Sequence, residues 1–250
     1  MKPMRVIEGT MQPFEPFWRF RDAAESESGE VELEFFGPIS EFTWWGDEIT
    51  PAAFKKDLYS KGAGNPVTVL VNSPGGEVVA ASVIRSTLQE YPGNVTADII
   101  GLAASAATIM VTGADHIRMR ESALFMIHDP SMLTYGNIDE IKQALALLNT
   151  VKDSIIETYQ TKTGMDAAKL AKMMTNTTWM TAKEAKDFGF VDEVVTGSLK
   201  KAPANVGFAN CLKDYANVPA ELLSSMQPKP VTDEREVQSL RDYISIFKGE

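Results

Sequence analysis

The sequence predicts an α/β fold built on a largely parallel sheet. Runs rich in β-branched residues, "PVTVLVN" and "VTADIIG", are each followed by a stretch with helical spacing, "EVVAASVIRSTLQEY" and "LAASAATIMVTGA". Two further strand-like runs, "HIRMR" and "ALFMIH", continue the alternation, which is the pattern of right-handed βαβ units. The length of 250 residues, 44% apolar and 23% charged, suits one substantial core rather than two full domains.

In chain order, residues 1–30 combine Pro13, Pro16 and aromatics with the acidic run "DAAESESGE" and read as a loose N-terminal arm. "EVELEFFGPIS" places Val31, Leu33 and Phe35 on one face before Gly37-Pro38 breaks the run, so a first strand is expected there. "TPAAFKKDLYSKGA" is a short helix with Thr50 as N-cap and Pro51 at the first helical position. "PVTVLVN" (66–72) is apolar without alternation, as in a strand covered on both faces, and stops at "SPGG" (73–76). The helix from Glu77 carries Val78, Val79, Val83, Ile84 and Leu88 and ends at Pro92-Gly93.

Residues 137–164 place Ile138, Ile141, Leu145, Leu148, Val151, Ile155 and Tyr159 at spacings of three and four, ending at Gly164. At 1.5 Å per residue such a helix spans about 42 Å, more than a domain of this size needs, so part of it should project. "DAAKLAKMMTN" is a second helix, and in "TWMTAKEAKDFGFVDEVV" Thr181 and Glu184 have capping-box spacing. The segment 197–250 contains Pro203, Pro219, Pro228 and Pro230 and reads as an extended tail with a short last helix, "DEREVQSLRDYISIFK".

Composition narrows the function. The net charge is −10, from 24 Lys+Arg against 34 Asp+Glu, and no basic run is long enough to track phosphates, which points away from nucleic acid. The lone Cys211 allows no internal disulfide, and with only His116 and His128 there is little to hold a metal; no metal and no cofactor are expected. No signal-peptide core and no run of membrane-spanning length occurs, so a cytoplasmic protein with no membrane partner is expected. A GxxxxGK[ST] loop is missing, so any use of ATP would belong to a separate unfoldase partner.

Three short stretches are able to carry chemistry. In "GLAASAATIM" (101–110), Ser105 stands among alanines at a strand-to-helix junction, next to unpaired helix N–H groups. Small-residue packing or an N-cap explains it as well as a nucleophile does. The glycines of "SPGG" would let backbone N–H groups approach an oxyanion, or simply start a helix. His128, at the end of "ALFMIH", is the better of the two histidines for a general base; a structural role fits it too, and His116 reads as a turn-to-strand residue.

Taken together, "VLVNSPGG", "GLAASAA", "MIHDP" and "TAKEAKDFGFVDEV" stand in the order found in the proteolytic subunit of the Clp protease family, which the chain resembles from about residue 31 to 196. The resemblance implies a ClpP/crotonase-like fold of repeated ββα units, with residues 137–164 as a projecting handle helix. It implies Ser105 as nucleophile, His128 as base, and the backbone N–H groups of Gly76 and Ala106 as oxyanion donors of a serine endopeptidase. A homo-oligomer of stacked rings and a polypeptide substrate come with it. The form "TWMTA" and the extra tail are most similar to phage and prophage relatives that mature capsids, which implies a capsid or scaffold protein as substrate and the host cytoplasm or assembling prohead as location.

The family's third catalytic position, an acid, falls on Thr177 in "MMTNTTWM", so no carboxylate stands there. Asn176 is an alternative orienter through its amide oxygen, as in Cys-His-Asn proteases. Asp129 follows His128 directly and should point to the opposite face, and Asp192 reads as a strand or turn residue. The missing acid keeps open a second reading, a ring-forming scaffold subunit with a degenerate site. A crotonase-type acyl-CoA enzyme and a Ser-Lys peptidase rank below both, since neither uses the Ser105 and His128 pair.

Overall fold

The computed structural model describes residues 4–7, 10–13, 18–21, 31–41, 50–196 and 215–219. The chain opens with strands β1 (Met4–Ile7), β2 (Thr10–Pro13) and β3 (Trp18–Arg21), then β4 (Val31–Phe36) and helix α1 (Pro51–Gly62). β5 (Val67–Ser73), α2 (Val78–Glu90), β6 (Val95–Ala104), α3 (Ala106–Val111), β7 (His116–Arg120) and β8 (Leu124–Ile127) follow. The remainder is α4 (Ile138–Thr163), α5 (Ala167–Thr175), β9 (Thr178–Thr181), α6 (Ala182–Asp187) and β10 (Glu193–Val195).

The expected parallel sheet is present, in the order β10-β7-β6-β5-β4-β3, with only β3 antiparallel to its neighbour along this path. β6 is long enough to serve two partners on one edge while β5 takes the other. Thr96–Ile99 pair with β7, and Leu102–Ala104 pair with β8, which in turn takes β9 antiparallel. This fork separates the C-terminal ends of β7 and β8 and places the residues that follow β6 and β8 side by side. Two short strands, β1 and β2, and the edge strand β3 lie inside the stretch that reads as a loose arm. Trp18–Arg21 carries no strong strand signal of its own; its partner β4 supplies the hydrogen-bonding edge.

The pleat sorts side chains by face. Leu33 and Phe35, Val69 and Val71, Ala97 and Ile99, and Ile117 and Met119 are buried in one cluster with Phe54 and Leu58 of α1 and Ile84 and Leu88 of α2. Each such aliphatic or aromatic side chain contributes about 1.5–3 kcal/mol. The alternate residues Glu32, Glu34, Thr68 and Asp98 are buried as well, on the other face. Asp98 is fully buried and takes hydrogen bonds from Arg118 (2.9 Å) and Arg120 (2.6 Å), which satisfies a charge that would otherwise be costly there.

The caps expected from sequence form. Thr50 Oγ1 accepts from Ala53 N, and Thr181 and Glu184 make a reciprocal capping box. α4 starts at a capping box of Asn137 and Glu140 and stops at Gly164. Its buried residues are Ile155, Ile156 and Tyr159, all in the second half. The first half projects with apolar side chains uncovered, Ile138 at 73% and Leu145 at 59% exposure. No helix among the described residues is long and apolar enough to cross a membrane. The last helix expected at 233–248 and the pair Lys200-Lys201 lie outside the described residues.

Candidate active site

β6 ends at Ala104 and α3 begins at Ala106, so the chain must turn within one residue, Ser105. Ser105 has φ 55° and ψ −127°, a conformation that a non-glycine residue adopts only when its surroundings enforce it. The enforcement is visible on both sides. Its N–H donates to Met126 O at 2.8 Å, continuing the β6–β8 ladder, and its C=O accepts from Thr108 N at 2.9 Å. The Thr108 hydroxyl also donates to that carbonyl and meets the Tyr159 hydroxyl of α4 at 2.7 Å. Burial pushes the Tyr159 phenol far up, against the Thr108 hydrogen bond, so it stays neutral. The buried end of the long helix thus props the strained turn, and the Ser105 hydroxyl is thrown clear of the ladder.

His128 follows β8 directly, one residue beyond Ile127. Its Nε2 lies 2.7 Å from Ser105 Oγ, the distance of a formed hydrogen bond. Burial draws its pKa below the ordinary imidazole value, and the neighbouring Asp129 opposes that shift. In the Nδ1–H tautomer the neutral ring accepts a hydrogen bond from the serine hydroxyl at Nε2.

The "SPGG" turn sits against the same serine. A Cβ at Gly75 (φ +96°) would stand 2.5 Å from Ala104 O, 2.8 Å from Ser105 Cβ and 2.9 Å from Ala106 N, so only glycine fits. The turn is pinned from outside. Ser73 Oγ donates to Gly37 O (2.6 Å), Ile39 N donates to Gly75 O (2.8 Å) and Glu77 N donates to Ile39 O (3.0 Å). Among the described residues, neither the Gly76 nor the Ala106 N–H is engaged in a hydrogen bond. Ala106, as the first residue of α3, has no intrahelical acceptor in any case. Two donors beside a serine are what a tetrahedral oxyanion requires.

The position expected to hold an acid comes close without supplying one. β8 and β9 pair Ile127 with Thr178, so Thr177 stands opposite His128 one step beyond the ladder. Thr177 has φ 47°, the left-handed region, and Asn176 is the exposed C-cap of α5. Among the described residues, the His128 ring makes its one hydrogen bond to Ser105; neither the Asn176 amide nor the Thr177 hydroxyl bonds it. Asp129 faces the other way. Its Oδ2 accepts from Lys152 Nζ (3.0 Å) and Thr175 Oγ1 (2.9 Å), and Lys152 Nζ is 2.8 Å from Oδ1, an ion-pair contact without hydrogen-bond alignment.

His116 starts β7, at the opposite end of the sheet, where it meets Glu193 (3.2 Å). Asp192 is structural: it accepts from Ile117 N (2.8 Å) and Lys162 Nζ (2.7 Å). Burial alone would raise its pKa, but these donors hold it below the ordinary value. No cluster of three or more His, Cys, Asp or Glu able to hold a metal occurs among the described residues.

The site also contains residues that sequence reasoning did not single out. Tyr215, from the Pro-rich tail, packs edge-on against the His128 ring, with centroids 4.9 Å apart at 73°. Its hydroxyl donates to Pro74 O at 2.9 Å. Trp179 Nε1 donates to Ala216 O (3.2 Å) and Asn217 Nδ2 to Asn176 O (2.9 Å). These contacts span 37 residues of sequence or more, and "DYANVP" has no local pattern that would announce them.

Comparison with known proteins agrees with this geometry. Residues 57–198, over half of the chain, match the Clp protease family. The chain is 31% identical over 185 residues to ATP-dependent Clp protease proteolytic subunit 1 of Chlamydia abortus, covering 71% of this chain and 93% of that protein. It is 33% identical over 136 residues to proteolytic subunit 2 of Thermobifida fusca, covering 53% of this chain and 66% of that protein. A parallel sheet with a forked strand, a serine in a strained turn and a match over most of a proteolytic subunit converge: the chain belongs to the Clp protease family and is a serine-type peptidase.

Proposed function

We propose that Ser105 is the nucleophile and His128 the general base of an endopeptidase, with the Gly76 and Ala106 N–H groups as oxyanion donors. The observation that carries this reading is the 2.7 Å contact between Ser105 Oγ and His128 Nε2. Ser105 Oγ attacks the scissile carbonyl while its proton passes to Nε2, and the developing oxyanion is held by the two N–H groups. The imidazolium returns the proton to the leaving amine, and water repeats the sequence on the acyl-enzyme. With Thr177 where an acid is expected, no carboxylate among the described residues hydrogen-bonds the imidazole, and the loss of that carboxylate costs about 10⁴-fold in rate in a triad protease. The enzyme is therefore a slow Ser-His dyad, with Thr177 or Asn176, neither of them bonded to the ring in this structure, as the side chain nearest the acid position to orient it weakly.

The working organisation is an arm (1–30), a protease domain (31–196) and a tail (197–250). The uncovered apolar first half of α4, with Ile138, Ile141, Leu145 and Leu147, supports assembly into a homo-oligomer of stacked rings. The substrate is a capsid or scaffold protein of a phage or prophage, cleaved in the host cytoplasm or the assembling prohead. Trp179 and the tail beyond the protease domain support that choice, and a shell would supply substrate at a concentration that suits a slow enzyme. Any ATP-driven unfoldase would be a separate chain.

A fluorophosphonate probe tests the chemistry. Labelling of wild type, and none of Ser105→Ala, is expected. An assembled, folded wild type that takes no label would favour a scaffold subunit, the reading that the missing acid at Thr177 supports. Light scattering with mass spectrometry of the two proteins reads ring size and self-processing. Co-expression with phage capsid and scaffold proteins, followed by mass spectrometry of their cleavage products, reads the substrate.

A further inference from the structure

We propose that Tyr215 is a positioning residue for His128, holding the imidazole from the C-terminal segment where no second hydrogen bond to the ring occurs among the described residues. This rests on the Ser105 and His128 reading above. An imidazole tied at Nε2 alone is free to swing about its ring torsion, and a general base must be held within about 0.5 Å of its productive place. A wall against the ring restrains the same torsion that a carboxylate on Nδ1 would.

Tyr215 provides such a wall. His128, one residue past β8, is two positions from Met126, so the pleat carried on puts their side chains on one face, which Trp179 of the neighbouring β9 shares opposite Met126. Tyr215 packs on that face, against the cluster of Leu102, Ala104 and Met126 with Leu124 and Trp179. It is fixed at both ends: its ring meets His128, and its hydroxyl donates to Pro74 O in the turn that carries the oxyanion donors. The main chain after it is tied to the loop of the missing acid through Trp179 Nε1 to Ala216 O and Asn217 Nδ2 to Asn176 O. One segment therefore joins the base, the oxyanion turn and the vacant acid position. Among the described residues, the other groups acting on His128 are Ser105 of the β6–α3 turn, by hydrogen bond, and Asp129, whose carboxylate faces away and whose charge is answered by Lys152 of α4.

The test compares Tyr215→Ala, Tyr215→Phe and Tyr215→Leu in the full chain, by rate of Ser105 labelling, by kcat and KM on a fluorogenic peptide, and by the pH profile of kcat/KM. A base freed to move loses about 10- to 100-fold in rate. That loss is expected in kcat for Tyr215→Ala, with KM little changed, and the acid limb of kcat/KM should move up as water reaches the ring. Tyr215→Phe, which keeps the ring edge, should recover most of the rate. If alanine fails to fold, Tyr215→Leu keeps the apolar cover over Met126 without the planar edge and should show the same kcat loss. A gain in kcat/KM on removing the ring would identify the segment as an obstruction, and unchanged kcat and acid limb would make it an incidental contact; either overturns the proposal. A wild type that never labels at Ser105 overturns the peptidase reading and this one with it, whereas normal labelling with unaltered Tyr215 variants overturns this one alone.

Discussion

Replacing Gly75 by alanine should cripple the site while leaving the fold standing. The new Cβ would lie 2.5 Å from Ala104 O, where ordinary contact begins at 3.4 Å, so the "SPGG" turn and the Ser105 turn must separate by nearly 1 Å. A misplacement of that size costs about 100-fold in rate, or about 2.7 kcal/mol of transition-state stabilisation. Folding weakens as well, by about 1–2 kcal/mol for a side chain at φ +96° and about 1–3 kcal/mol for the crowding, set against the roughly 5–15 kcal/mol of a typical domain. Gly164→Ala is the matched control. Its φ is also positive, at +69°, but nothing lies within 4 Å of the added Cβ. It should lose about 1–2 kcal/mol of stability and no activity. Fluorophosphonate labelling rates and thermal unfolding, measured on both variants, separate the two effects. A folded Gly75→Ala protein that labels within about threefold of wild type would refute the claim that this turn sets the oxyanion donors.

Because burial lowers the His128 pKa, kcat/KM should hold its plateau to a pH below the ordinary imidazole value of about 6.5 and fall only beneath it. The same shift makes the unfolded chain bind its proton first, so the stability from His128 is present above pH about 6.5 and is lost as the pH falls through the folded value; a limb above pH about 6.5 in the rate profile would contradict both. Thr177→Asp places a carboxylate opposite His128 and a residue more tolerant of φ 47°, and should raise kcat by up to about 10⁴-fold in peptide hydrolysis. Conversely, Asn176→Ala and Thr177→Ala should each slow hydrolysis; no change in either, with activity abolished by Asp129→Ala, would sink the assignment of the orienter. Asp98→Ala leaves Arg118 and Arg120 facing each other without their shared anion, and chemical denaturation should show a loss of about 3–5 kcal/mol.

The alternation of β-branched runs and helical spacing made the parallel sheet legible, because a continuous apolar run such as "PVTVLVN" must be covered on both faces and strand-helix-strand connections pair strands in parallel; the strand order was not legible. Caps were equally legible, at Thr50, Thr181 and Gly164, since they depend on residues within one turn of each other. Ser105, "SPGG" and His128 were visible as separate candidates. Their meeting was implied by the family resemblance alone, since no local pattern encodes it: 23 residues separate Ser105 from His128 and the contact depends on β6 forking between β7 and β8.

Other features belonged to the tertiary structure alone. The pairing of Trp18–Arg21 exists because β4 offers an edge. The turn of Asp129 toward Lys152 and Thr175 depends on where α4 and α5 pack. Tyr215 reaches His128 across 87 positions, a contact that no periodicity encodes. The sequence by itself determined the elements and the chemical groups on offer, because those follow from local propensity and pattern. Only the folded chain decided which groups touch, because that is set by packing between segments distant in sequence.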